Sequence, residues 1–142
     1  MRHEAADATL DLLMAAARRS ARRAYAPYSQ FRVGAALRLK NGEIVTGVNV
    51  ENASYGMTIC AERAALVRAV AEHGPGIRII AVAVANLNEA ASPPCGACRQ
   101  MLAEFTEPDA PVVFPAAEGT RVMPFSEVFP LVFELKPGGA DF

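Results

Sequence analysis

Three cysteines are all that this sequence holds, and the residues around them could do chemistry. Cys60 stands in Thr58-Ile59-Cys60-Ala61-Glu62-Arg63; Cys95 and Cys98 stand in Pro93-Pro94-Cys95-Gly96-Ala97-Cys98. Three thiolates and one water satisfy a tetrahedral zinc ion of the catalytic kind, whereas a structural site closes all four positions with protein. A carboxylate beside the open position can take a proton from water and hand it to a leaving group, and Glu62 is such a carboxylate. On a regular helix residues 60 and 62 would point roughly 200° apart. Cys60 therefore belongs at a non-helical cap, where free N–H groups and the positive helix end favour electron-rich sulfur.

Other uses of the thiols stay open on these residues alone. A redox Cys95-x-x-Cys98 pair would leave Cys60 and Glu62 without a role, and inert buried thiols would not account for the cap positions. A closed zinc site would need a fourth ligand from Asp, Glu or a second chain. His3 lies near the N-terminus, and His73 is near 20 Å from Cys60 along one helix, so neither is well placed. Arg63 at i+3 from Cys60 can bring its guanidinium to the sulfurs. Zinc with three thiolates carries a formal −1 and is a poor acid unless outer-shell donors withdraw charge, which gives Arg63 a role beyond that of a surface arginine.

The elements that must hold these residues are legible as patterns. Leu10, Leu13, Met14, Ala17 and Ala21 recur at helical spacing, predicting a helix from about Ala6 to Tyr25 that stops before Pro27. Val33 to Leu39 and Ile44 to Val50 alternate around Asn41-Gly42, which reads as a hairpin with a two-residue turn. That turn pairs Lys40 with Glu43, Gly34 with Asn49 and Arg32 with Glu51, and it places Asn49 and Glu51 on the face away from Val33. Gly34 opposite Asn49 then leaves room for a ligand, with an Arg32–Glu51 ion pair as the plainer alternative. Thr58 can cap a helix that runs to Gly74-Pro75-Gly76. Residues 77–85 read as a central buried strand, Cys95 to Phe105 as a helix, Pro111 to Phe114 as a short strand, and 125–133 as a short helix or turn. The order is α/β, with helices on both faces of one sheet.

Composition narrows the function. With 142 residues the chain fits one domain spanning 1–142. Fourteen basic and fifteen acidic residues nearly cancel, so no global field would gather nucleic acid or an anionic membrane. The cluster Arg18, Arg19, Arg22 and Arg23 could grip phosphates, but a solvated helix face is the simpler reading. The longest apolar run, Ile79 to Ala85, is too short to span a bilayer. An odd cysteine count with no hydrophobic leader points to a reducing cytosol, hence a cytoplasmic protein.

Cys-x-Glu joined to Pro-Cys-x-x-Cys matches the zinc-dependent base deaminases, with cysteine as first ligand. From Ala24-Tyr25-Ala26-Pro27-Tyr28-Ser29-Gln30-Phe31-Arg32-Val33-Gly34 to Phe129-Pro130-Leu131-Val132-Phe133, nearly the whole chain resembles the small, homotetrameric cytidine deaminases. The resemblance implies a three-layer αβα fold with a mixed central sheet of about five strands. It implies zinc held by Cys60, Cys95 and Cys98, Glu62 as proton shuttle, and Arg63 as a donor to the thiolates. It also implies a nucleoside bound by Asn49 and Glu51 through its ribose hydroxyls, by Phe31 through the pyrimidine, by Ala61, and by Phe133 of a neighbouring subunit. The reaction implied is hydrolytic deamination of cytidine and 2'-deoxycytidine in pyrimidine salvage, in a homotetramer with shared active sites. Strict alternation would put Phe31 on the face opposite Asn49 and Glu51, a conflict removed if the strand begins after it. Phe129 stands where the family has leucine, which leaves open a Phe133 that fills its own core. Rival readings are a deaminase of another cytosine nucleoside such as blasticidin S, a nucleic-acid editing enzyme, which would need a basic groove, and a silent zinc scaffold, which would have no use for Glu62.

Overall fold

The computed structural model describes residues 2–135, with side chains from Ala8 onward. His3 therefore lies outside the residues whose side chains are described. The elements run α1 (Arg2–Ala21), β1 (Val33–Leu39), β2 (Ile44–Val48), α2 (Ala61–His73), β3 (Ile79–Asn86), α3 (Gly96–Ala103), β4 (Pro111–Ala116), β5 (Gly119–Pro124) and α4 (Phe125–Val128). The sheet has the order β2-β1-β3-β4-β5. Its pairs are antiparallel except β3 with β4, which are joined through α3 and run parallel.

Alternation along the strands builds two apolar layers. Ala35, Leu37, Leu39, Val82, Val84 and Val112 face Ala65, Leu66 and Ala69 of α2 and Leu102 of α3. Ala36, Ala81, Ala83, Ala85 and Val113 face Leu13, Ala16 and Ala17 of α1. The result is the expected three-layer αβα arrangement around a five-stranded mixed sheet, with β3 as the buried central strand. Small side chains on the α1 side let that helix come close. A Cβ on Gly34 would meet the Ala17 carbonyl oxygen at 2.0 Å. Gly34 thus leaves room for a helix, not for a ligand.

Four expectations are corrected here. The hairpin register is shifted by one: Gly34 pairs with Val48, and Ala35 with Gly47. The cause is the turn, in which Leu39 and Glu43 flank three residues and Gly42 takes φ +93°, with the Leu39 N–H donating to the Glu43 carbonyl. This is a three-residue loop with a glycine bulge in place of a two-residue turn. A slip of one exchanges the faces of a strand. Val45 and Gly47, rather than Ile44 and Thr46, therefore lie toward α2. Second, α1 ends at Ala21, four residues before Tyr25. Third, the cap of α2 is Cys60 itself, with extended φ −73° and ψ 153°, not Thr58. Fourth, β5 is an edge strand where the pattern of apolar residues marks no element, because its burial is low throughout and gives no alternating apolar signal.

Candidate metal centre

Two helices begin at the cysteines. Cys60 is the N-cap of α2 and Cys95 the N-cap of α3, and the Cys95 sulfur accepts a hydrogen bond from the Cys98 N–H at 3.4 Å. Both positive helix ends point at the sulfurs, which favours thiolates there. The Cys60 and Cys95 sulfurs are 3.8 Å apart, those of Cys95 and Cys98 3.2 Å, and all three lie within 4.8 Å of one another. Tetrahedral Zn–S bonds of about 2.3 Å place sulfurs about 3.8 Å apart, so the triad fits zinc in spacing, and thiolates fit it in softness. Among the described residues no fourth His, Cys, Asp or Glu joins the group. His73 closes the far end of α2 and lies beside Glu72.

Charge is distributed unevenly over the triad. Hydrogen bonding from Cys98, helped by Arg63 and Cys95, draws the Cys60 thiol down to about 5. The same bond and burial push the Cys98 thiol well above its ordinary value. Glu62 sits in the first turn of α2, only 5% exposed. Burial, the largest cause, raises its carboxyl above the ordinary carboxylate range, and the Cys60 thiolate adds to the rise against a smaller opposing pull from its own backbone N–H. Such a group is poised to hold a proton and to give it up. Arg63 arrives where its i+3 spacing predicts: Nη2 donates to the Thr58 carbonyl at 3.2 Å and to the Cys60 sulfur at 3.7 Å.

The walls of the site come from the strand ends. Val50 exchanges both backbone hydrogen bonds with Ile59, so the residue before Cys60 is tied to the segment that carries Asn49 and Glu51. The Asn49 amide spans the turn into β1, accepting from the Val33 N–H at 2.9 Å and donating to the Phe31 carbonyl at 2.8 Å. Phe31 lies outside β1, which begins at Val33, and in the observed register it shares its parity with Asn49 and Glu51. The conflict with alternation disappears. Glu51 does not pair with Arg32. Its carboxylate accepts from the N–H groups of Tyr28 and Ser29 at 3.0 and 3.1 Å and from the Ser29 hydroxyl, and these bonds hold it below the usual carboxylate range. Ala61 is fully buried under the first turn of α2. Phe133 is 71% exposed, so it does not fill its own core, and its carbonyl accepts from Gln100 of α3 at 3.0 Å.

A family model described as the cytidine and deoxycytidylate deaminase zinc-binding region matches residues 8–114. The chain belongs to this family. A cytidine deaminase of Halalkalibacterium halodurans is 46% identical over 112 residues, which cover 78% of this chain and 83% of that protein. One of Mycobacterium tuberculosis is 46% identical over 98 residues, covering 69% of this chain and 72% of the relative. The solved cytidine deaminase of Burkholderia pseudomallei superposes with a TM-score of 0.77 at 42% identity, over 87% of this chain and 98% of that one. The family is a zinc-binding one, and the cysteine triad is a group of this chain that could hold a metal ion.

Three residues of the site carried no chemical label in the sequence. Gly47 lies against the backbone of α2: a Cβ there would meet the Ala65 nitrogen at 2.3 Å and the Ala61 oxygen at 2.7 Å. Glycine inside a strand is the signal that could have found it. Arg99 donates from Nε to the Pro94 carbonyl at 2.7 Å and from Nη1 to the Val128 carbonyl at 2.9 Å. Asn86 gathers four hydrogen bonds at the end of β3. Neither the local bonds of Asn86 to its own loop nor the long-range bond of Arg99 has a sequence signature.

Proposed function

We propose that this chain catalyses the hydrolytic deamination of cytidine and 2'-deoxycytidine to uridine and 2'-deoxyuridine, releasing ammonia. The observation that carries the reading is a buried Glu62 carboxyl set against three sulfurs at two helix N-termini. Cys60, Cys95 and Cys98 would hold the zinc, which supplies the Lewis acidity that lets water lose a proton near neutral pH. Glu62 accepts that proton and delivers it to N3 as the oxygen bonds to C4. It then carries the hydroxyl proton to the amino nitrogen as the C4–N bond breaks, so one water enters and one ammonia leaves. Arg63 offsets thiolate charge at Cys60.

Asn49 and Glu51 retain the capacity to bind ribose hydroxyls. A carboxylate offers about four lone-pair sites, of which the contacts with Tyr28 and Ser29 occupy three. The Asn49 amide keeps one N–H and one lone pair beyond its bonds to Phe31 and Val33. Phe31 packs on the pyrimidine, Ala61 closes the pocket floor, and Phe133 reaches the site of a neighbouring subunit in a homotetramer. Its exposure on the outside of the subunit supports that role. We place the chain, as one domain over 1–142, in cytoplasmic pyrimidine salvage, acting on free nucleosides and on neither nucleic acid nor membrane; no described helix is long and apolar enough to cross a membrane.

The test is the loss of cytosine absorbance when purified, zinc-loaded protein meets cytidine, deoxycytidine and cytidine monophosphate, with metal content measured on the same sample. The reading expects about one zinc per chain and turnover of both nucleosides. Silence on all three substrates with zinc in place would remove it.

A further inference from the structure

Asn86 lies at the carboxyl end of β3, the central strand, and is 3% exposed. Its Oδ1 accepts from the N–H groups of Asn88 and Ala90 at 2.9 and 3.2 Å. Its Nδ2 donates to the Ala90 carbonyl at 2.8 Å and to the Ser92 hydroxyl at 2.9 Å. Both hydrogens and both lone pairs of the amide are used, so this side chain fixes the fold of the loop from Leu87 to Ser92. A buried amide with all four bonds made specifies one arrangement, and removing it leaves loop N–H and carbonyl groups without partners.

The loop touches the site at both ends. At one end the Leu87 N–H donates to the Arg32 carbonyl at 3.1 Å and the Asn88 amide to the Gln30 carbonyl at 3.3 Å, on either side of Phe31. Gln30 holds φ +56°, a left-handed conformation that a non-glycine residue adopts at some cost and that contacts of this kind stabilise. At the other end Ser92, whose N–H donates to the Pro115 carbonyl at 3.0 Å, leads into Pro93-Pro94-Cys95. Two prolines have fixed φ and lend no N–H to a competing bond, so they form a stiff strut of about 3.1 Å per residue. Pro94 is fully buried and its carbonyl is held by Arg99. Displacing Ser92 therefore displaces Cys95.

We infer that Asn86 is a positioning residue that sets the Cys95–Cys98 metal ligands in register with the segment carrying Phe31. The inference rests on the zinc and pyrimidine roles proposed above. If the wild-type protein neither holds zinc nor turns over cytidine, those roles fail; if it does both, the Asn86 variants judge the inference alone.

The variants are Asn86→Ala, Asn86→Asp and Ser92→Ala, each compared with the wild-type holoenzyme well below its melting temperature. Zinc release to a colorimetric chelator is the first readout, and KM and kcat for cytidine are the second. Asn86→Ala should release zinc at least tenfold faster and lower kcat/KM by about 10- to 100-fold, the range typical when an outer-shell partner of a metal site is lost. Much of that loss should appear in KM, because the Phe31 segment moves with the loop. Asn86→Asp keeps both acceptor bonds and loses both donors, so it should fall between Asn86→Ala and wild type. Ser92→Ala should speed zinc release with little change in melting temperature. A purely structural asparagine would lower the melting temperature of Asn86→Ala and leave zinc release, KM and kcat within twofold of wild type, which would overturn the inference. Should Asn86→Ala fail to fold, unchanged zinc release in both Asn86→Asp and Ser92→Ala would overturn it equally.

Discussion

Replacing Gly47 by alanine should damage the active site through a residue that touches none of the reacting atoms. The added Cβ would stand 2.3 Å from the Ala65 nitrogen, 2.7 Å from the Ala61 oxygen and 2.8 Å from the Ala65 Cα. All three are backbone atoms of α2, so no side chain can swing aside. Ordinary contact begins near 3.4 Å, and α2 must therefore retreat from β2 by roughly an ångström. The retreat occurs within the first turns of α2, directly beside Cys60 and Glu62, whereas Cys95 and Cys98 are anchored on α3. Overpacking of this kind costs about 1–3 kcal/mol, or a drop of about 4–12 °C in melting temperature at this size. A misplacement of about 1 Å at a reacting group costs on the order of 100-fold in rate. The assay is kcat for cytidine with zinc content and melting temperature measured in parallel. Gly76→Ala serves as control, since a Cβ there meets nothing within 4 Å and should change none of the three. A Gly47→Ala protein with wild-type kcat and full zinc would refute the claim that close packing of α2 on β2 sets the site.

Two further outcomes follow from the geometry. Asn49→Ala and Glu51→Ala should each impair cytidine much more than free cytosine, because only the nucleoside carries ribose hydroxyls; equal losses on both compounds would reduce these residues to holding the loop from Tyr28 to Phe31. Arg63→Ala removes a cation that helps hold the Cys60 thiol near 5, so that thiol takes up its proton at higher pH and the pH at which zinc is lost should rise. In fully metallated samples the acid limb of the turnover profile should also move to higher pH, and zinc loss and turnover profiles that coincide with wild type would exclude a tuning role.

The chemistry of this chain was more legible than its geometry. The angle between residues 60 and 62 on a helix is enough to put Cys60 at a cap, and the i+3 spacing is enough to bring Arg63 to its sulfur. Local sequence carries those facts because they depend on one turn of backbone. The turn residues do not fix the hairpin register, because Asn41-Gly42 is compatible with both a two-residue turn and a three-residue bulged loop, and the observed register is the one that packs Val45 and Gly47 on α2. Gly34 was visible as an anomaly in a strand, but whether a ligand or a helix approaches a glycine depends on a partner 17 residues away. β5 shows the converse: an edge strand with little burial has no periodic apolar face to announce it. Asn86 acts through bonds to the loop that follows it and Arg99 through a bond to the distant Val128 carbonyl, and no residue type at those positions identifies such partners beforehand.

In the proposed reaction Glu62, set against the cysteine triad, moves the protons of cytidine deamination. Ammonia release from cytidine should be measured for wild-type protein and for Glu62→Gln, both loaded with zinc and checked for metal content. Glutamine keeps the shape of the side chain and cannot shuttle a proton, and loss of acid and base roles together should slow turnover by at least about 100-fold with zinc retained. Ammonia from the variant at more than about a tenth of the wild-type rate would contradict the account.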